Sequence, residues 1–68
     1  MIEIRIDDKV DYSSIGRFQP QDIESVLELL RKYGVFTAEG EMGEVLKIYY
    51  DVGVSPHIWV ACEYEGKQ

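Results

Sequence analysis

Ile2, Ile4 and Ile6 alternate with Glu3, Arg5 and Asp7 at the start of the chain. This period of two predicts a half-buried strand over Met1–Asp7, ended by Asp7-Asp8. Residues 8–18 show no clear period and contain several turn formers, so they read as a long loop pinned by Val10, Tyr12 and Ile15. A loop of that length in so small a domain is unusual and points to a working role. The period then changes. Ile23, Val26, Leu27 and Leu30 fall at i, i+3, i+4 and i+7, and Leu29 and Tyr33 widen the stripe on one side, the pattern of an amphipathic helix. With Gln19 as N-cap, Pro20 takes the first helical position, where its missing N–H costs nothing. Phe18 and Ile23 then occupy the two positions of a hydrophobic staple. Asp22 and Glu24 near the start, and Arg31 and Lys32 near the end, complement the helix dipole. Glu28 and Lys32 make a favourable i,i+4 pair, and Gly34 is the expected left-handed stop.

After Gly34 the period returns to two. Val35–Glu39 is a predicted strand, Gly40-Glu41-Met42-Gly43 a hairpin turn, and Glu44–Val52 the next strand. Asp51–Pro56 supplies a loop, His57–Tyr64 the last strand, and Glu65–Gln68 a polar, frayed tail. The expected fold is a two-layer α+β domain, one helix packed on a small mainly antiparallel sheet, in the order β-α-β-β-β. The three C-terminal strands form a meander, and the place of the first strand in the sheet is open.

One helix covers one sheet face. The apolar sets Ile2, Ile4, Ile6, then Leu46, Ile48, Tyr50, Val52, then Ile58, Val60, Cys62, Tyr64 belong beneath it. The other face then carries Val45, Lys47, Tyr49, His57, Trp59, Ala61 and Glu63. The open side of an antiparallel sheet is ordinarily polar. Aromatic rings ringed by charge on such a side have the composition of an interface centre. The structural alternatives are that the 8–18 segment folds over Trp59, or that a Trp–Tyr cross-strand pair merely stabilises the sheet.

Composition narrows the field. At 68 residues the chain is one domain, and one this small buries only about 60% of its unfolded surface. Little material remains for an enclosed active-site cavity. Thirteen acids face seven bases for a net charge of −6. No cluster of Lys and Arg is present to grip a phosphate backbone, so direct nucleic-acid binding is not expected, whereas a basic surface is attracted. No apolar run approaches the ~20 residues of a membrane helix. No basic start followed by an apolar stretch marks a secretory signal. The single cysteine, Cys62, makes no internal disulfide, and a cytoplasmic location is the default.

Candidate chemistry is sparse. His57 is the only histidine, and Cys62, five residues on, points to the opposite strand face. That geometry disfavours a zinc site and a Cys–His nucleophile pair. Glu39, Glu41 and Glu44, or Asp7, Asp8 and Asp11, lack the order of a calcium loop. Gly40 and Gly43 flank a hairpin rather than opening onto a helix, and Ser13 and Ser14 have no nearby base. No metal, cofactor or catalytic residue is expected.

The reading that follows is a non-enzymatic binding protein using Glu39, Glu41, Glu44, Lys47, Tyr49, His57, Trp59 and Glu63 against another protein with a basic, nucleic-acid-handling surface. Carboxylates stand in for phosphates there. Compact acidic phage inhibitors of CRISPR or restriction nucleases have this general size and charge; that is an analogy of class, since no motif of such a family occurs in the chain. The alternatives are a self-associating structural or regulatory subunit, homodimeric across the open face, and a small ligand-binding or enzyme domain using Tyr12, His57 or Asp51.

Overall fold

A computed structural model describes residues 1–37 and 39–65. The elements are β1 (Ile2–Asp8), β2 (Asp11–Phe18), α1 (Pro20–Tyr33), β3 (Val35–Phe36), β4 (Met42–Asp51) and β5 (His57–Tyr64). They form an α+β domain in which one helix packs on a curled, five-stranded sheet of order β2-β1-β5-β4-β3. The β3-β4-β5 meander is antiparallel as expected. β1 lies beside β5 and parallel to it, which makes the sheet mixed.

The order is β-β-α-β-β-β, not β-α-β-β-β. Residues 11–18, read as loop, are an edge strand paired antiparallel with β1 from Ile2↔Phe18 to Asp8↔Asp11. The connection is a γ-turn about Lys9: its φ is 69° and the Val10 N–H donates to the Asp8 carbonyl at 2.6 Å. The hydrophobic period is missing because Ser13 and Gly16 lie opposite Ile6 and Ile4 on the covered side, and a bulge at Ile15 breaks the alternation. β3 is shorter than the predicted Val35–Glu39. Within that span Ala38 falls outside the described residues, as does the tail beyond Glu65.

The helix forms where its stripe requires. Gln19 is the N-cap without a side-chain capping bond, Pro20 opens the first turn, and Ile23 and Leu27 are buried. Phe18 packs against the same core as Ile23. Gly34 ends the helix with its N–H on the Leu30 carbonyl, but its φ of 79° with ψ of −168° is not the left-handed helical cap expected. That backbone region is essentially reserved for glycine. Because β2 and β3 are opposite edges, α1 crosses the sheet from one to the other. The core beneath it is Ile4, Ile6, Ile23, Leu27, Val35, Ile58 and Val60. Ile4 lies beside Ile58 and Ile6 beside Val60 across the parallel pair, each buried side chain contributing about 1.5–3 kcal/mol.

One register shift corrects the predicted faces. β4 carries a bulge at Leu46, between Val45↔Cys62 and Lys47↔Ala61. Val45, expected on the open side, therefore turns toward the helix and packs on the core, while Leu46, expected beneath the helix, is 60% exposed. Beyond the bulge the expected phase returns, with Ile48 opposite Val60 and Tyr49 opposite Trp59. The helix does not reach the far half of β4, where Tyr50 and Val52, also predicted beneath it, are exposed. Gly43, placed in the hairpin turn by the sequence, is a buried β4 residue opposite Tyr64.

Candidate functional site: an aromatic band and an acidic end

The face turned away from α1 is built from every second residue of four strands. β2 contributes Tyr12, Ser14 and Arg17, β1 Glu3, Arg5 and Asp7, β5 His57, Trp59, Ala61 and Glu63, and β4 Glu44, Lys47, Tyr49 and Asp51. Trp59 sits at its middle, half-buried by neighbours on its own face. The Tyr12 ring meets it edge-on at 5.9 Å and the His57 ring at 6.5 Å, geometries that favour aromatic pairs. The 8–18 segment thus reaches Trp59 with the Tyr12 side chain, from a strand two places away across β1, rather than folding over it.

Arg5 ties the band together. Its guanidinium lies 4.5 Å from the Tyr12 ring centroid, within cation–π range, and its Nε donates to Glu3 Oε1 at 2.7 Å. The Ser14 hydroxyl, and after it Arg5, hold the Glu3 carboxyl below the usual carboxylate range. On the other side of Trp59, Tyr49 is 47% exposed and Lys47 Nζ lies 5.7 Å from its ring. His57 is buried, not open as expected. Its Nδ1–H donates to the Ser55 carbonyl at 2.7 Å, and Nε2 faces Asp51 Oδ2 at 3.9 Å.

The acids gather at one end. Parallel β1 and β5 finish there, and β4 starts there, so Asp7, Asp8, Glu44, Glu63 and Glu65 converge. Curling of the sheet brings the β1–β2 turn to the β3–β4 connection, where Lys9 Nζ bonds Glu41 Oε1 at 2.7 Å. Glu39 joins Asp8, Asp11 and Glu41 around a shallow groove. Arg31 and Lys32, from the last turn of α1, flank this end beside Glu44, Glu63 and Glu65. Two carboxylate pairs stand directly opposite each other across strands, Glu44↔Glu63 and Asp8↔Asp11. Like charges so placed oppose folding.

Of the candidates named from sequence, Lys47, Tyr49, His57 and Trp59 share the band, and Glu44 and Glu63 continue the same face into the acidic end. Glu39 and Glu41 lie off that face, in the β3–β4 connection. Arg5 is the band member the sequence did not point to, and Tyr12, expected on a loop, joins the band from a strand. Tyr12-x-Ser14 alternation was the available signal, hidden once 8–18 was read as a loop. Cys62 is half-buried on the helix side, opposite in face to His57, and burial pushes its thiol pKa up. Among the described residues no three His, Cys, Asp or Glu side chains converge to hold a metal ion, and no helix is long and apolar enough to cross a membrane.

Comparison with protein-family models, curated proteins and solved structures found no match. The site combines exposed Tyr12 and Tyr49, half-buried Trp59 and buried His57 with bordering carboxylates, and the hydroxyls of Ser13 and Ser14 are engaged by Asp8 and by the Gly16 N–H.

Proposed function

We propose that the protein works by binding another protein, presenting its acidic end and aromatic band to a basic, nucleic-acid-handling surface and blocking it as a nucleic-acid mimic, in the manner of phage inhibitors of CRISPR or restriction nucleases, without catalysis of its own. The observation that carries this reading is the Glu44↔Glu63 pair, on the open face at the acid-rich end. Opposed carboxylates cost the free protein stability, and a Lys- or Arg-rich partner removes that cost on binding. Carboxylates supply fast, salt-sensitive encounter, while Trp59 and Tyr49 hold the complex once formed. The net charge of −6 acts in the same direction by repelling nucleic acid itself.

The test is capture on the immobilised protein followed by competition. Nucleic-acid-binding proteins are expected on the matrix, displaced by duplex DNA and released by raised salt. A Glu39→Gln/Glu41→Gln/Glu44→Gln variant should retain little, and Trp59→Ala should release faster. Captured proteins indifferent to both salt and DNA would overturn the proposal.

A further inference from the structure

β3 pairs only with Met42 and Gly43 of β4. From Glu44 to Asp51 the outer edge of β4 therefore has no neighbouring strand among the described residues. Such an edge is a template for another strand. The opposite edge, β2, is interrupted in its middle by the bulge at Ile15 and by Gly16, whose φ is 128°. β4 is interrupted only at Leu46, and Lys47–Asp51 runs regularly. It is also the apolar edge: Leu46, Tyr49, Tyr50 and Val52 are 60%, 47%, 53% and 72% exposed.

This edge matches itself in one antiparallel register. With a twofold axis through Tyr49, Lys47 faces Asp51 of the second copy, Ile48 faces Tyr50, and Tyr49 faces Tyr49. Moving the axis to Ile48 or Tyr50 sets Lys47 opposite Tyr49 or Gly53 and leaves its charge unmatched. Among the described residues Lys47 has no carboxylate within ion-pair distance, and Asp51 has His57, at 3.9 Å, as its one ionic neighbour.

We propose that β4 pairs antiparallel with β4 of a second copy of this chain in the Tyr49-centred register, joining two five-stranded sheets into one. The pairing satisfies the free edge hydrogen bonds and forms two Lys47–Asp51 cross-strand pairs. It continues the Ile48 and Tyr50 side of one sheet into the other. The antiparallel arrangement sends the two acidic ends in opposite directions, so their like charges stay apart. Trp59 and the Glu44–Glu63 pair remain outside the seam, whereas Lys47 and Tyr49 are shared with the partner surface proposed above; the dimer rests on the β4 edge and not on that reading.

Sedimentation equilibrium at physiological salt and submillimolar concentration should give twice the 7.9 kDa chain mass. Lys47→Glu and Asp51→Lys should each weaken the dimer roughly tenfold, and the two together should restore it, because the swapped charges face each other again. Asp51 also accepts the Gly53 N–H, so each variant is checked by circular dichroism. A second variant avoids that contact: Tyr49→Cys with Cys62→Ser should oxidise to a reducible covalent dimer, and Ser14→Cys with Cys62→Ser on β2 should not. A monomeric wild type, or a folded double charge swap as weak as either single change, would overturn the proposal.

Discussion

The Tyr64 hydroxyl, at the end of β5, donates to the main-chain carbonyl of Asp7, 57 residues earlier in the chain. The bond staples the last strand to the end of the first. Tyr64→Phe should cost about 1 kcal/mol by leaving that carbonyl without its partner, a fall in Tm of roughly 4–8 °C for a domain of this size. Burial first, then the neighbouring Cys62, Asp8 and Asp7, raise the phenol's pKa above its ordinary value. The folded state thus holds the proton more tightly than the unfolded chain. The stabilisation is complete below the unfolded value of about 10 and is lost as pH rises beyond it. Urea unfolding at neutral and strongly alkaline pH should show the gap between wild type and Tyr64→Phe shrinking at the higher pH.

Glu3 runs in the opposite sense. Its carboxyl is held low by the Ser14 hydroxyl and by Arg5, so its contribution is present above the unfolded value of about 4.3 and disappears as pH falls through the folded one. Wild type should exceed Glu3→Gln in stability near neutrality, and the two should converge in acid. A Glu3 titration followed by NMR should place its midpoint below that of an exposed glutamate.

Tyr12 shields one edge of Trp59. Removing it as Tyr12→Ala should raise acrylamide quenching of Trp59 fluorescence and cost about 0.5–1.5 kcal/mol from the lost aromatic pair. Tyr33→Ala, on the exposed side of α1, should leave the quenching unchanged.

At Gly43 an added Cβ would lie 2.5 Å from Tyr64 Cε1 and 2.9 Å from Val35 Cγ2. Gly43→Ala forces β3 and β5 apart and should cost about 1–3 kcal/mol, read as a lower urea midpoint with an unchanged slope.

Glu44→Lys should separate stability from function. It replaces the carboxylate facing Glu63 with an opposite charge, which should raise the unfolding midpoint by an amount equivalent to about 0.2–1 kcal/mol. The same change should weaken capture of basic partners.

The helix, the meander and the side on which Trp59 lies were legible because each rests on a periodic apolar set: Ile23-Val26-Leu27-Leu30 for the helix, and Ile58 and Val60 for β5. β2 was not, because two of its inward positions are Ser13 and Gly16, which leaves Phe18 at its far end as the inward apolar residue packed on the core. The Leu46 bulge was hidden for a related reason. Val45 and Leu46 are both apolar, so the pattern on either side of the inserted residue looked continuous. His57 was placed on the right strand face, but its burial depends on Ser55, Asp51 and Trp59 closing around it, which is tertiary information. The acidic end was visible only as composition, since Asp8, Glu41 and Glu63 come from distant segments.

The centre of the sheet joins the earliest strand to the latest, Ile4 beside Ile58 and Ile6 beside Val60. The β1–β2 hairpin and the 14-residue helix are each marginal alone, and neither has a lasting platform until β5 is in place. Folding should therefore be close to all-or-none and timed by that last segment. A product cut before β5 leaves the apolar edge of β1 exposed, which makes it a natural target for cellular proteolysis.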